Sequence, residues 1–380
     1  MPPDLSPPET VPSRATDRDT LRLRAVHRAA AELRRGVPVL LRGPVPLVVL
    51  AAETASGPGL ADMAALAGAP PVIVLAPVRA AALLRSPVDP ALAAVALHAG
   101  QLFDPATLCG LADPLARQML RDPPERAPTP ALGPAAVALA KIARLLPACL
   151  AAPLRHEAAS IVEARALMSV EAADVLSHPD REAARLTRVA EAHVPLEVAP
   201  DARLVAFRAP DAGIEHMAIL VGQPEHAASP PLARLHSECF TGDLLGSLRC
   251  DCGPQLQAAL ARMAAEGTGV LLYLAQEGRG IGLASKLRAY ALQDRGLDTV
   301  DANRALGWNA DERNFLVAAT MLQQLRIPAV RLLTNNPGKM AALAACGIEV
   351  VGREPLLIPP NGVNDHYLAT KARRFGHLTE

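Results

Sequence analysis

The chain has 380 residues, of which 51% are hydrophobic and 20% charged, so it can bury a sizeable core in about two or three domains and is not extensively disordered. Its 38 Lys and Arg residues balance its 38 Asp and Glu residues, and only 2% of residues are aromatic, which argues against a protein that grips nucleic acid. The sequence contains neither an apolar run of about 18 residues nor a secretory signal, so we expect a cytoplasmic protein without a membrane span.

The first half of the chain predicts a flexible leader followed by an alanine-rich α/β domain. We place the leader at residues 1–20 and the domain at residues 21–198. Helical spacing is found in Leu21–Arg35, Ala135–Leu146 and Arg181–His193. Short apolar runs between turn signals predict strands at Val37–Leu41, Leu47–Ala51 and Pro71–Leu75. The segment Asp113–Pro130, rich in Pro, Asp and Arg, is predicted to be a loop.

The second half, residues 199–380, alternates strands with helices and predicts a mixed α/β (α+β) catalytic domain. The strands are predicted at Arg203–Arg208, His216–Val221, Val270–Leu274 and Val330–Thr334. The helices are predicted at Pro254–Gly267, Ile281–Asp294 and Arg313–Leu325, with a further helix that follows Pro337 and stops at Gly347.

Three of the six cysteines fall within fourteen positions, at Cys239, Cys250 and Cys252. Thiolates favour zinc, and three protein ligands leave one position open for water, which is the pattern of a catalytic zinc site. Two alternatives stay open: His236 completes a structural site, or the three thiols are core residues. The other cysteines, Cys109, Cys149 and Cys346, lie in apolar contexts and are predicted to be core residues.

The motifs around these cysteines resemble those of GTP cyclohydrolase II, the first committed enzyme of riboflavin synthesis. The resemblance runs from about Ile214 to Leu378. It rests on Arg234-Leu-His-Ser-Glu-Cys, Thr241-Gly-Asp, Gly246-Ser-Leu-Arg-Cys-Asp-Cys, Gln276-Glu-Gly-Arg-Gly-Ile-Gly-Leu, Arg288-Ala-Tyr-Ala-Leu-Gln-Asp, Ala310-Asp-Glu-Arg, Leu333-Thr-Asn-Asn-Pro and Asp365-His-Tyr-Leu. It implies conversion of GTP to a diaminopyrimidine ribosyl phosphate with release of formate and pyrophosphate.

The resemblance also assigns catalytic roles. It makes Cys239, Cys250 and Cys252 the ligands of one zinc ion per subunit and Asp311 the group that transfers a proton. Arg313 matches the family's proposed nucleophile for the α-phosphate, although a guanidinium is a poor nucleophile and phosphate clamping is the alternative. Tyr290 matches a tyrosine that handles the opened ring, with a packing role as the alternative. Because Asp311 and Arg313 are two residues apart, a helix would point them apart.

The resemblance implies nucleotide contacts in several separate motifs. They are Arg234, Leu235, His236, Ser237, Glu238, Gln255, Glu277, Gly278, Arg279, Thr299, Thr334 and Lys339. Glu277 can accept hydrogen bonds from the guanine N1 and N2 donors, and the arginines and the lysine supply positive charge for a triphosphate. Mg²⁺ is expected with the triphosphate. The stretch Asn309–Glu312 is interpreted as a helix N-cap and first turn.

Faint traces of a dihydroxybutanone phosphate synthase domain run through the first half. That synthase requires acidic residues just before the strand at Leu47–Ala51, yet no Asp or Glu occurs from Arg34 through Ala52. Leu132 stands where its catalytic histidine belongs. We therefore predict a degenerate, non-catalytic domain, with an unrelated accessory domain as the alternative.

Two other functions compete with GTP ring opening. One is a diverged paralog that opens another purine or pyrimidine nucleotide in catabolism, and the other is a non-catalytic nucleotide sensor. The three clustered thiols, together with Asp311, Arg313 and Tyr290, argue against the sensor, because a binder needs no open zinc site. GTP is the expected partner, nucleic acid and membrane are not, and a homodimer is expected.

Overall fold

The computed structural model describes residues 14–98, 104–117, 123–210, 212–376 and 378. In this part of the chain two seven-stranded sheets are each packed against helices, which confirms the predicted mixed α/β class. None of the described helices is long and apolar enough to cross a membrane.

The first half alternates short strands with helices. Its strands are β1 (Val39–Arg42), β2 (Leu47–Ala51), β3 (Val72–Leu75), β4 (Val95–His98), β5 (Arg126–Ala127), β6 (Ala148–Pro153) and β7 (Ser169–Glu171). Its helices are α1 (Arg14–Arg34), α2 (Gly57–Leu66), α3 (Pro77–Leu84), α4 (Pro105–Ala112), α5 (Gly133–Ile142), α6 (Ala159–Ala164) and α7 (Ala172–Ala184).

The strands of the first sheet are ordered β5-β4-β3-β6-β2-β1-β7, and all its described pairings except β1–β7 are antiparallel. Alternate residues of β2 face opposite sides of this sheet. Val49 joins a core with α1, α5 and α7 on one side. Leu50 joins a second core on the other side, which also contains Leu292, Leu306 and Trp308 of the second half. The two halves therefore share this second hydrophobic core.

The second half has the remaining elements. Its strands are β8 (Thr187–His193), β9 (Arg203–Arg208), β10 (Glu215–Val221), β11 (Leu232–Ser237), β12 (Gly269–Leu274), β13 (Ala329–Leu333) and β14 (Glu349–Glu354). Its helices are α8 (Cys252–Glu266), α9 (Leu283–Gln293), α10 (Thr299–Ala305), α11 (Leu316–Gln324), α12 (Pro337–Ala345) and α13 (Asp365–Phe375).

The strands of the second sheet are ordered β14-β13-β11-β12-β10-β9-β8. Strands β14, β13, β11 and β12 run parallel, while β10, β9 and β8 continue the sheet in antiparallel pairs. Because parallel strands end at the same edge, the segments that follow β11, β12 and β13 meet there. This edge carries most of the motifs singled out in the sequence.

The predicted helix Arg181–His193 is wrong in its second part. Helix α7 ends at Ala184, and Thr187–His193 is strand β8, which pairs with β9. All seven residues of β8 are exposed, so no buried stripe distinguishes a strand from a helix in this segment. Strand β8 belongs to the second sheet although it precedes residue 199, and the boundary between residues 198 and 199 stays a prediction.

The helix predicted to begin at Leu21 starts at Arg14, within the predicted leader, whose residues 1–13 lie outside the described part. A second correction concerns Asn309–Glu312, predicted as a helix start. Helix α11 begins only at Leu316, whose amide donates to the Asn314 side chain at 3.0 Å. The segment before it is a loop, because the Glu312 amide donates to the Arg279 carbonyl at 3.0 Å rather than within a helix.

Candidate active site

Three thiols converge where β11 and the start of α8 meet. The sulfurs of Cys239, Cys250 and Cys252 all lie within 4.8 Å of one another, and the first two are 3.8 Å apart. A tetrahedral zinc ion with sulfur ligands at about 2.3 Å requires sulfurs about 3.8 Å apart. Gly242 sits against the cluster, since a Cβ there would lie 2.7 Å from the Cys250 sulfur. The donor set and its spacing therefore fit a metal ion such as zinc.

A buried cation accompanies the thiols. Lys286 Nζ donates to the Cys239 sulfur at 3.1 Å and to Glu277 Oε1 at 2.7 Å. Hydrogen bonds from the neighbouring thiols and the charge of Lys286 hold the pKa of Cys239 well below its usual range. Lys286 was not singled out in the sequence, although it precedes Tyr290 by four residues and so shares its face of α9.

His236 is turned to a carboxylate rather than to the thiols. Its Nε2 lies 3.0 Å from Asp243 Oδ1, and the same carboxylate accepts from the Cys239 amide at 3.0 Å and from the Tyr273 hydroxyl at 2.9 Å. In the described part of the chain, the potential metal ligands that cluster with Cys239 are Cys250 and Cys252, and His236 is not among them. The geometry therefore favours a three-thiolate site with an open position over a closed one.

Glu277 opens the loop Glu277–Gly280, in which Gly278 and Arg279 have positive φ angles of 62° and 64°. Both carboxylate oxygens of Glu277 already have protein partners: Oε1 accepts from Lys286 and from the Gly278 amide at 3.0 Å, and Oε2 accepts from the Phe240 amide at 2.7 Å. The carboxylate expected to accept from guanine therefore stabilises the turn beside the thiols in this structure.

Asp311 and Arg313 form a two-point ion pair. Arg313 donates through Nε to Oδ1 at 2.8 Å and through a terminal nitrogen to Oδ2 at 2.5 Å. A helix would have pointed them apart, and the loop brings them together. Burial alone would raise the pKa of Asp311, but the hydrogen bonds and charge of Arg313 lower it. In this pair the Asp311 carboxylate is ionised and can accept a proton, and its hydrogen bonds fix the orientation of the Arg313 guanidinium.

Tyr290 presents its hydroxyl to the thiol cluster. The hydroxyl lies 3.5 Å from Thr241 Oγ1, which is itself 3.7 Å from the Cys239 sulfur. Burial raises the pKa of Tyr290, so the phenol stays protonated and can donate. Tyr290 also lines the cavity, which favours a chemical role over packing alone.

One cavity lies over the thiols and collects nearly all the residues predicted for the site. Its wall contains Arg234, Leu235, His236, Ser237, Glu238, Cys239, Cys250, Cys252, Gln255, Glu277, Gly278, Arg279, Tyr290, Thr299, Arg313, Thr334 and Lys339. Asp311 alone among the predicted residues is outside this wall, behind Arg313. Tyr367 and Lys371 also line the cavity. Sequence reasoning missed Lys371, whereas Tyr367 belongs to a quoted motif.

Part of the cavity wall is cationic. Arg234 donates to the Leu333 carbonyl at 2.9 Å and to Gln255 at 2.5 Å, and burial lowers its pKa to about 10. Lys339 Nζ donates to the Leu235 carbonyl at 2.8 Å. Burial, followed by the charges of Arg313 and Arg234, lowers the pKa of Lys339. Several cations held close together in this way are suited to a polyanion such as a triphosphate.

The comparisons with known proteins agree with this site. The family description GTP cyclohydrolase II matches residues 187–355. A GTP cyclohydrolase-2 from Azospirillum brasilense is 48% identical over 99% of this chain and 98% of that protein. One from Actinobacillus succinogenes is 53% identical over 51% of this chain and 88% of that protein.

Among solved structures, a two-domain 3,4-dihydroxy-2-butanone 4-phosphate synthase from A. baumannii covers 88% of this chain and 99% of its own, at 18% identity and a TM-score of 0.33. A similarity of that size supports no conclusion about the first half. The match to the Azospirillum protein spans nearly the whole of both chains at high identity. The chain therefore belongs to the GTP cyclohydrolase II family, whose members are hydrolases of riboflavin biosynthesis, as its motifs predict.

Proposed function

We propose that this chain opens the guanine ring of GTP at a zinc ion held by Cys239, Cys250 and Cys252, with release of formate and pyrophosphate. The observation that carries the proposal is the set of three clustered sulfurs facing a cation-lined cavity. When bound, a zinc ion of this kind supplies Lewis acidity and a water molecule of lowered pKa. Lys286 offsets part of the negative charge of the three thiolates.

The cationic wall is proposed to bind the triphosphate. Arg234, Arg279 and Lys339 line the same cavity and supply the charge, and Thr334 lies at the edge where β13 ends. A triphosphate in water travels with Mg²⁺, so we include magnesium in the proposal.

Arg313 and Asp311 are proposed to act on the α-phosphate. The two-point ion pair fixes the plane of the guanidinium, which suits clamping of phosphate oxygens. The same carboxylate is the acceptor that Arg313 would need to lose a proton and attack as a nucleophile. An Arg313→Lys variant separates these roles, because a lysine keeps the charge but loses the planar fork.

Tyr290 is proposed to donate a hydrogen bond to the opened ring, since its hydroxyl lies 3.5 Å from Thr241 beside the thiol cluster and Tyr290 lines the cavity. Opening of a different nucleotide is the competing function. The 48% identity to a GTP cyclohydrolase-2 over nearly the whole chain favours GTP. We also include in the proposal a symmetric homodimer, the commonest closed assembly, and a cytoplasmic location.

The deciding experiment supplies the zinc-loaded full chain with GTP and Mg²⁺ and measures formate and pyrophosphate together. We expect both products in equal amounts, and ATP should give neither. A Cys346→Ser variant is the matched control, because Cys346 lies outside the thiol cluster. Formate release from another nucleotide but not from GTP would support the competing catabolic function instead.

A further inference from the structure

A second cavity lies between the two halves of the chain, separate from the thiol cluster. Its volume is about 580 Å³. One wall comes from α1, α5 and α7 of the first half, and the other from residues of the second half, including His216, Gln276 and Glu312. The proposed chemistry at the thiol cluster makes no use of this space.

Three potential metal ligands converge on the first wall. They are His27 of α1 with His178 and Glu182 of α7, and one ligand atom of each lies within 4.8 Å of those of the other two. His178 and Glu182 are four residues apart, so one face of α7 presents both. His27 Nε2 is 3.3 Å from Glu182 Oε1, and His178 Nδ1 is 3.9 Å from Glu182 Oε2. Two helices of the first half thus place two imidazoles around one carboxylate.

These groups are poorly satisfied by the protein. The His178 side chain is only 2% exposed, and within the described part of the chain its Nε2 has no hydrogen-bond partner. His27 Nε2 and Glu182 Oε1 also lack hydrogen-bond geometry, although they are in contact. A buried polar atom without a partner costs about 1–3 kcal/mol. The unpartnered His178 Nε2 and the poorly aligned His27–Glu182 pair lie in one place, which points to a bound species.

The chemistry of the cluster selects a cation. Neutral imidazoles and a carboxylate offer lone pairs, and together they are the ligand set that zinc and its first-row neighbours prefer. The basic side chains around the cavity already have acceptors. Arg34 donates to the Ala143 carbonyl, Arg144 to the Gly280 carbonyl and Lys141 to Glu312. Arg144 also interacts with the charge of Glu182, but the cluster itself offers a carboxylate and two imidazoles, which match a metal ion better than an anion.

We propose that His27, His178 and Glu182 bind one divalent transition metal ion per chain, of the zinc class, at a site distinct from the three thiolates. Three protein ligands leave the remaining coordination positions to water in the cavity. The ion ties α1 to α7 at the surface where the first half faces the second. Its role is to stabilise the first half rather than to open the ring.

Metal stoichiometry tests the site in the full-length chain. After zinc loading and desalting, we expect two zinc ions per chain in the parent protein by mass spectrometry of the metal. His178→Ala and Cys250→Ser should each lower the content to about one. The exposed His156 provides the control variant His156→Ala, which should keep two. One zinc per chain in the parent protein, unchanged in His178→Ala, would overturn the inference and leave a water molecule as the occupant.

Cobalt(II) distinguishes the two sites even if His178→Ala folds poorly. A variant with Cys239, Cys250 and Cys252 all changed to Ser should still bind one cobalt ion, with weak visible bands and no intense thiolate absorption in the near ultraviolet. The milder change His27→Gln, added to that variant, should abolish this binding and the rise in Tm that the ion produces. Cobalt binding unaffected by His27→Gln would also refute the site. Because His27→Gln alone leaves the thiolates intact, its formate release reports on the proposed function independently.

Discussion

The ion pair between Lys141 and Glu312 should transmit the state of the first half to the loop that carries Asp311 and Arg313, for which we propose a catalytic role. Lys141 Nζ lies 2.5 Å from Glu312 Oε1, and Glu312 stands between the two members of the Asp311–Arg313 pair. The Glu312 amide also donates to the Arg279 carbonyl. Replacing Lys141 with Ala therefore removes the one described cation paired with this carboxylate and leaves the loop with its contact to the Arg279 carbonyl.

The size of the effect follows from burial. The two side chains are 21% and 17% exposed, so the pair is largely shielded from water. A hydrogen bond between charged groups contributes about 1.5–3 kcal/mol net, and the Asn309 amide, 2.7 Å from the same oxygen, compensates for part of its loss. A remaining cost of about 1.4 kcal/mol corresponds to roughly a tenfold fall in kcat/KM for GTP.

A double-mutant cycle with Lys141→Ala and Glu312→Gln isolates this interaction. Steady-state formate release gives kcat/KM for the parent, both single variants and the double variant, and we expect a coupling energy of about 1–2 kcal/mol. Arg35→Ala is the matched control, because its ion pair with Glu32 is on the surface with Arg35 65% exposed, and it should change little. Coupling below about 0.3 kcal/mol would refute the reasoning.

Four further outcomes are expected. Cys250→Ser should abolish formate release and the near-ultraviolet thiolate absorption of the cobalt form, because a hydroxyl is a far poorer soft-metal ligand; normal activity would remove Cys250 from the ligand set. Tyr290→Phe should reduce formate release more than pyrophosphate release, as judged by mass spectrometry of the product, whereas equal losses would indicate packing. Because the pKa of Lys339 is lowered, its charge is lost at a lower pH than that of an ordinary lysine as the pH rises. We therefore expect kcat/KM to fall as the pH rises toward the pKa of an ordinary lysine and Lys339→Arg to remove that fall; an identical profile in the variant would contradict this. The full chain should not make the four-carbon phosphate from ribulose 5-phosphate at any Mg²⁺ level, since residues 34–52 lack carboxylates and Leu132 is inert, and measurable product would disprove the degenerate assignment.

Much of the site was predictable from short-range spacing. The three cysteines and the residues around Arg234 and Arg279 lie in continuous motifs, and the parallel strands bring those motifs to one edge of the sheet. Strand β2 in the core of the first half was also predictable, since it is a run of five buried apolar residues. In these segments local pattern and tertiary position agree.

Features that depend on contacts between distant segments were not predictable. The pairing of Asp311 with Arg313 depends on a loop that is held by the Arg279 carbonyl, and a helical interpretation of the local sequence points the two side chains apart. Strand β8 has no buried face to reveal it and is defined by its partner β9. The His27 cluster joins side chains about 150 residues apart, because 178 − 27 = 151. No periodicity within one window encodes such pairs.

The core shared by the two halves has a consequence for synthesis on the ribosome. The first sheet is complete once β7 has emerged at residue 171, but Leu292, Leu306 and Trp308, which complete the core on its second face beside helices of the first half, come later. Translation at about 5–20 residues per second leaves that part of the apolar face uncovered for roughly 7–27 s, since 308 − 171 = 137 residues remain. The nascent first half is thus prone to aggregation through this exposed apolar surface until the second half of the chain has been synthesised and packs against it. In a first half expressed alone, from a gene truncated near residue 198, this apolar surface would stay exposed.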